Sequence, residues 1–454
     1  MAMLATVLAI GTLIGIFMTG WPRSLVEDAP PTAAKPVVPA QVVLRIQGSN
    51  TLGAELLPTI AEAFLKKEGA TTVLRVEIAP NEWRIEGAID RAMDPVAIEI
   101  KAHGSGTAFK ALADGSADIG ASSRPAKPEE AQLLKHFGDI TSPVVEHVVG
   151  LDGIAVIVNK INPVRTLTKE LIARIFSGEI TDWAEVGGSS GLIHRYARDE
   201  KSGTFDTFQH LVMGKTELDG QTIRLESSEE LSDRVAKDAA GIGFIGLPYV
   251  RNAQAIAVSD GATTLPMLPT PFTVATEDYA LARRLYLYAP PNLQHPYLRA
   301  FVEFALTDEG QRLVNQTGFV SQTVVATRPP MQRALPDDYM ELVANAERLS
   351  LSVRFHAESN LLDNKAQRDL ERVVGFLARH PGRRIILLGF TDAQGDPAKN
   401  LELSQQRAQE VERELMTRGI FPNMVKGFGS AVPLANNNNP QNAIRNRRVE
   451  IWII

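Results

Sequence analysis

The chain opens on Met1–Trp21, a run without a charged side chain that is apolar apart from Thr, Gly and the closing Trp. About 20 such residues can cross a hydrocarbon core of roughly 30 Å as a helix. Residues 1–22 therefore read as an N-terminal hydrophobic helix, either a transmembrane anchor or a signal peptide. Residues 23–41, ending in EDAPPTAAKPVVPAQ, are rich in Pro and Ala and read as an extended linker. From 42 to 325 short apolar runs alternate with amphipathic stretches. VVLRIQG (42–48), VAIEIKAHG (96–104), GIAVIVN (153–159) and LIHRYARD (192–199) each precede a predicted helix, near 53–66, 106–113, 168–176 and 203–212. GIGFIG (241–246) and YALARRLYLY (279–288) read as later strands. This alternation predicts an α/β fold with mostly parallel sheet, and its length predicts two lobes. Pro80–Pro95 looks inserted in that pattern.

Pro329, Pro330 and Pro336 mark a second linker over 326–349. The pattern then changes to a strand at 350–355, a helix at 363–380, a strand at 383–392, a helix at 400–418 and a last strand at 447–453. Residues 350–454 thus form a small α+β domain. Asn436–Asn439 reads as a surface loop.

Composition narrows the function. Lys plus Arg is 47 against 53 for Asp plus Glu, a net charge of −6, which argues against a nucleic-acid binder. Residues 350–454 carry 15 basic and 11 acidic residues, a net of +4, leaving −10 for the rest. There is no cysteine, so disulfides, zinc–thiolate sites and a cysteine nucleophile are excluded. The eight His are scattered without an H-x-x-x-H pair, and no phosphate-binding G-x-x-x-x-G-K-[ST] loop occurs. Gly187-Gly188-Ser189-Ser190-Gly191 fits G-x-S-x-G, but it follows DWAEV rather than a buried strand and reads as a loop. No cofactor and no catalysis are expected.

Three strand-to-helix turns combine Gly, Ser and Thr: Gln47-Gly48-Ser49-Asn50-Thr51, Gly104-Ser105-Gly106-Thr107 and Lys201-Ser202-Gly203-Thr204. Helix starts offer unpaired N–H groups and a partial positive charge, hydroxyls add donors, and Gly allows close approach. A single such turn is usually a plain helix cap. Three at strand ends favour a shared oxyanion. Asp118-Ile119-Gly120-Ala121-Ser122-Ser123-Arg124 adds a fourth polar strand end, and Arg198 precedes Ser202 by four residues. Arg198 suits a bidentate anion contact or a surface ion pair.

QGSNTL, GSGTAF, DIGASSR, RDEKSGTF and EELSDRVAKDAAGIGFIGLPYV resemble the periplasmic phosphate-binding proteins of ABC transporters, over about 42–325. The resemblance implies a two-lobed periplasmic-binding-protein fold that closes on inorganic phosphate. It assigns Ser49, Thr51, Ser105, Gly106, Thr107, Ser122, Ser123 and Arg124 to the first lobe's contacts. It also assigns Arg198, Ser202, Gly203 and Thr204 to the second lobe's clamp. In the best-known members an Asp follows G-A-S and accepts a proton from hydrogen phosphate. Here that position is Ser123, which relaxes discrimination against sulfate.

In the C-terminal domain Phe390-Thr391-Asp392-Ala393-Gln394-Gly395 ends a strand, and Asn400-x-x-Leu403-Ser404-x-x-Arg407-Ala408 opens a helix. An Asp facing an Arg suits a zwitterion, or is an internal salt bridge. With NRRVEI (446–451), the spacing resembles the OmpA C-terminal domain. That resemblance implies peptidoglycan binding through the diaminopimelate of the peptide stem. It gives Arg407 a carboxylate, Asp392 the ammonium end, Asn400 an ordering role and Arg448 a supporting contact. Phe390 and Ser430 depart from the family's usual residues.

The expectation is a periplasmic, wall-associated protein, attached by the N-terminal helix or released after cleavage. It binds phosphate and peptidoglycan, with an ABC permease or other membrane partner, and serves phosphate uptake. The alternative is a sensor or scaffold that signals to a membrane partner without transport.

Overall fold

The computed structural model describes residues 39–89, 95–200, 202–291, 295–329, 335–356, 361–436 and 440–454. The apolar segment 1–22 and nearly all of the linker 23–41 lie outside them. Among the described residues no helix is long and apolar enough to cross a membrane.

Eleven strands form one sheet through the larger domain. They are β1 (Gln41–Gly48), β2 (Ala70–Ala79), β3 (Glu82–Ile89), β4 (Val96–Ala102), β5 (Ile119–Ser122), β6 (Glu146–Val158), β8 (His194–Arg198), β9 (Ile223–Leu225), β10 (Gly241–Gly246), β11 (Gln254–Ala255) and β13 (Ala282–Tyr288). The order is β2-β3-β4-β1-β5-β13-β6-β10-β8-β9, with β11 also pairing with β6. Two short strands, β7 (Thr166–Thr168) and β12 (Ala257–Ser259), pair separately.

The sheet is mixed rather than mostly parallel. β1 runs parallel to β4 and β5, and β8 to β9 and β10. The β2–β3–β4 meander and the pairs β13–β5, β13–β6 and β10–β6 are antiparallel. Part of the stretch expected as an insertion is β3, an internal strand of that meander.

The two largest cores on this sheet belong one to each lobe. One packs Leu57, Phe64, Ile98 and Phe301, and the other Val156, Phe176, Phe208 and Phe244. β6 and β13 join them. Residues 146–153 of β6 pair with β13, and residues 154–158 pair with β10. β6 is apolar almost throughout because both of its faces are buried.

The C-terminal domain is a five-stranded sheet in the order β14-β15-β18-β16-β17. Its strands are β14 (Ala326–Thr327), β15 (Glu347–Arg354), β16 (Ile385–Phe390), β17 (Met424–Gly427) and β18 (Arg448–Ile453). Helices Asn364–Arg379 and Pro397–Met416 supply Val373 and Val411 to its core. Asp363 caps the first of these, its carboxylate accepting from the Ala366 N–H at 2.8 Å.

The stretch 326–349, expected as a linker, belongs in part to this domain. β14 pairs with β15, and helix Asp337–Val343 packs Tyr339 and Val343 beside Phe390, Phe428 and Trp452. Asn436, at the head of the expected surface loop, is tied to Asp260 of the larger domain, its backbone N–H donating at 2.9 Å. Residues 437–439 lie outside the described residues.

Candidate functional site

β1 ends at Gly48, where φ is +142° and a Cβ would lie 2.0 Å from the Ala121 carbonyl oxygen. Only glycine fits there. The Ser49 N–H donates to that same carbonyl at 2.9 Å, and the Gly104 N–H donates to the Gly48 carbonyl at 2.9 Å. Three loops of the first lobe, at 48–51, 104–107 and 121–124, are thus stitched together by backbone bonds. The Ser105 hydroxyl accepts from the Ser123 N–H at 3.1 Å and shares a bond with the Ser123 hydroxyl at 3.2 Å. Ser122 donates to the Arg124 carbonyl at 2.7 Å, and Thr107 to the Gly104 carbonyl at 2.8 Å.

The second lobe's loop meets this cluster at Thr51. A Cβ on Gly203 would sit 1.9 Å from Thr51 Oγ1 and 2.9 Å from its backbone nitrogen. The two loops are therefore in direct contact, and again only glycine fits. Ser202 caps helix Gly203–Phe208, its hydroxyl accepting from the Thr204 N–H at 3.2 Å. Arg198, at the end of β8, donates to the Ser228 hydroxyl at the start of helix Ser228–Lys237. Burial pulls its pKa down, partly offset by Asp199 and nearby Tyr249. Thr51, Arg198, Ser202, Gly203 and Thr204 line a cavity of about 350 Å³. Glu55, Asp199, Glu226 and Glu229 also line it, so much of its charge is acidic.

The remaining expected residues lie off that cavity. Ser49, Ser105, Ser122 and Ser123 are buried. Gly106, Thr107 and Arg124 line a separate shallow pocket. Arg124 is held by Glu130 in two bonds of 2.7 Å, which raises its pKa, and lies over the Phe109 ring. Its guanidinium is committed to that carboxylate, so it stands as a structural ion pair rather than a lining residue of the cavity.

Sequence reasoning missed Asp152 and Arg283. They face each other across β6 and β13, with Arg283 donating to Asp152 at 2.7 and 3.0 Å, and both are buried. The same guanidinium donates to Thr51 Oγ1 and to the Gly203 carbonyl, each at 3.0 Å. It therefore holds one loop from each lobe. The Thr51 oxygen accepts this bond, which leaves its single O–H proton to point elsewhere. A sequence signal existed: adjacent arginines inside the apolar run YALARRLYLY are costly to bury unless paired.

The second site lies where β16 ends. Asp392 accepts from Arg447 and from the Gln394 N–H at 3.1 Å. Arg407, on helix Pro397–Met416, donates to the Thr391 hydroxyl at 3.0 Å. Burial and the neighbouring Arg447 pull its pKa down to about 10. Its Nε is buried without a hydrogen-bond partner among the described residues. Asn400 is buried in the first turn of that helix.

Arg448 is a correction. It is fully buried over the Phe390 ring, donating to Glu450 at 2.9 and 3.0 Å and to the Val432 carbonyl at 3.2 Å. It cannot reach a ligand at Asp392. Its neighbour Arg447 is the arginine bonded to Asp392.

Residues 38–309 match the family model described as PBP superfamily domain, and the chain belongs to that superfamily. Residues 354–447 match the OmpA family, so the two architectures follow one another on one chain. Protein SphX of Synechococcus elongatus is 28% identical over 284 residues, covering 60% of this chain and 81% of that one. Phosphate-binding protein PstS of Staphylococcus saprophyticus is 29% identical over 271 residues, covering 57% and 81%. An ABC-type phosphate transport receptor from Vibrio cholerae is 22% identical with a TM-score of 0.48, covering 61% of this chain and 99% of that structure.

Proposed function

We propose that this protein binds inorganic phosphate between its two lobes and peptidoglycan through its C-terminal domain, without catalysis. The observation that carries the first part is the contact of Gly203 with Thr51, which brings a helix start from each lobe to one cavity. Fixed N–H and O–H donors replace the water of a buried oxyanion, and Arg198 supplies the nearby charge. The PstS relative is a phosphate-binding protein by name. For the second part, Arg407 and Arg447 outnumber Asp392, leaving a positive site suited to a diaminopimelate carboxylate while Asp392 takes the ammonium end. The protein then works in the periplasm beside the wall, in phosphate uptake with an ABC permease.

A second reading is a sensor or scaffold that signals to a membrane partner. The buried contacts between the C-terminal domain and the binding lobes favour it, because a clamp fixed to a wall-bound domain does not diffuse.

Calorimetry with phosphate and sulfate tests the first part. Heat with phosphate is expected, and Arg198→Ala should weaken binding about 10- to 100-fold, the worth of a hydrogen bond to a charged group. Absence of heat up to millimolar phosphate refutes it. Pull-down on purified sacculi tests the second. Wild type should be retained and Asp392→Ala with Arg407→Ala released. Equal retention makes the group an internal ion pair.

A further inference from the structure

Arg283 and Arg284 are consecutive in β13, and consecutive side chains of a strand leave opposite faces of the sheet. Arg283 leaves towards the cleft, where it holds Asp152, Thr51 and Gly203. Arg284 leaves on the other side. It donates to both oxygens of Glu277 at 2.7 and 2.9 Å and lies 2.8 Å from Asp363 of the C-terminal domain. Glu277 also accepts from Arg354 of β15 at 3.2 Å. Burial alone would raise the Glu277 carboxyl, but Arg284 and Arg354 hold it well below the usual range. One strand thus carries both anion loops on its front and the C-terminal domain on its back.

The docking reaches both lobes. On the second, Arg348 of β15 donates to Asp278 at 2.6 and 3.3 Å, with both residues buried. A Cβ on Gly261 would lie 2.0 Å from Asn436 Nδ2, so the two surfaces touch there as well. On the first, Asn364 donates to the Thr141 carbonyl at 2.5 Å and to Glu146 at 3.1 Å. Arg368, one turn further along the same helix, donates to His147 Nδ1 at 3.0 Å. The neighbouring Ile140, Val145 and Val148 pack with Phe109 and Leu112, in the first lobe's core. The C-terminal domain therefore grips both ends of the region where β6 and β13 cross between the lobes. A relative rotation of the lobes would strain the part-buried contacts of the first lobe or the buried Arg348–Asp278 pair of the second, and a buried charge left unpaired is costly.

We propose that the C-terminal domain is a brace across the two crossing strands that holds Thr51 against Gly203, with Arg283 the positioning residue through which the brace reaches the anion loops. This rests on the phosphate reading of the cleft. An anion that needs both lobes binds more tightly when the competent arrangement is already populated. Contacts that never touch the cleft then set its affinity, and phosphate in turn tightens the docking.

The test uses the full chain carrying Asp363→Asn and Asn364→Ala. Asn caps a helix as Asp does, so the helix start is kept while the charge facing Arg284 and the amide on Glu146 are removed. Two quantities are read: phosphate affinity by calorimetry, and hydrogen exchange over residues 48–53 and 203–208 without phosphate. The brace predicts a Kd raised by about 5-fold or more, the lower range of measured couplings, and faster exchange in both loops. Unchanged affinity and exchange overturn it. A wild-type chain that gives no heat with phosphate overturns the phosphate reading alone, and the exchange arm then decides the brace. Should the double variant fail to fold, Asp363→Asn alone is measured by the same criteria. Arg283→Lys keeps a cation beside Asp152 but loses the fork to Thr51 and Gly203. It should lose phosphate affinity while lowering the unfolding midpoint less than Arg283→Met, which removes the cation altogether, and unaltered affinity removes Arg283 from the positioning role.

Discussion

The cleft and the Asp392 site of the C-terminal domain both gather arginines near an aspartate, and they use the charge differently. In the cleft, Arg283 is neutralised by Asp152 and anchored to Thr51 and Gly203, so its work is to fix two loops. On the proposed reading the donors left for an anion are N–H and O–H groups with Arg198, in a cavity also lined by carboxylates. At the C-terminal domain's site one aspartate, Asp392, sits beside two arginines, Arg407 and Arg447, and burial and Arg447 hold Arg407 below its ordinary pKa. A carboxylate ligand would relieve that. On the proposed reading the cleft relies mainly on shape and the Asp392 site on charge, so a perturbation of one kind should injure one site more than the other.

The sharpest way to break the comparison is Arg283→Met. It leaves Asp152 buried without its partner, and removing half of a buried pair costs about 3–5 kcal/mol. Denaturant unfolding should show a loss of that size, whereas Arg447→Met, at the more exposed pair, should cost far less. If the two losses are equal, the contrast is wrong.

A seam prediction follows in size. Burial and Arg368 push His147 down to about 4 from the ordinary 6.5. The unfolded chain then binds a proton that the folded chain refuses, so stability is full above pH 6.5 and falls as pH drops towards 4. The loss approaches roughly 3 kcal/mol over that window. His147→Gln should flatten the profile, measured as the pH dependence of unfolding free energy.

Gly203→Ala tests shape alone. Its methyl group must displace Thr51, and overpacking of this kind costs about 1–3 kcal/mol, or roughly 5- to 150-fold in phosphate affinity. Retention on sacculi should not change. The smallest effect is that of salt. Between 0.01 and 0.15 M the Debye length falls from about 30 to 8 Å. Screening of the cleft's carboxylates should speed phosphate association about twofold, while wall binding weakens. Equal signs at the two sites would show that charge governs both.

Much of this was legible in the chain. β6, β10 and β16 were visible as near-continuous apolar runs because both of their faces are buried, and β1, β4 and β18 as alternating ones that turn Leu44, Ile46, Ile98, Ile100, Val449 and Ile451 into the core. β2 and β3 were hidden because ATTVLRVEIA and EWRIEGAI mix polar residues into half-exposed strands, with Leu74, Val76 and Ile78 facing solvent. Asp392 and Arg407 could be read because they lie 15 positions apart in one strand–helix unit. Arg447 was passed over for Arg448 because neighbouring residues at a strand start face opposite ways, and a motif does not say which. The pair of Asp152 and Arg283, 131 residues apart, exists only once β6 lies beside β13. Arg124 looked available because its partner Glu130 sits in a separate helix turn.

The short strand Ala326–Thr327, paired with β15, follows closely on Gln322, whose amide donates to the Val148 carbonyl of the larger domain, and this leaves little slack between the two halves of the molecule. A tethered receptor on a long leash samples a sphere of positions around its anchor. Here the capture module would instead sit at a constant standoff and orientation from the mesh it grips. Its delivery of cargo to a membrane partner would then depend on where the wall is, rather than on how far a chain can swing.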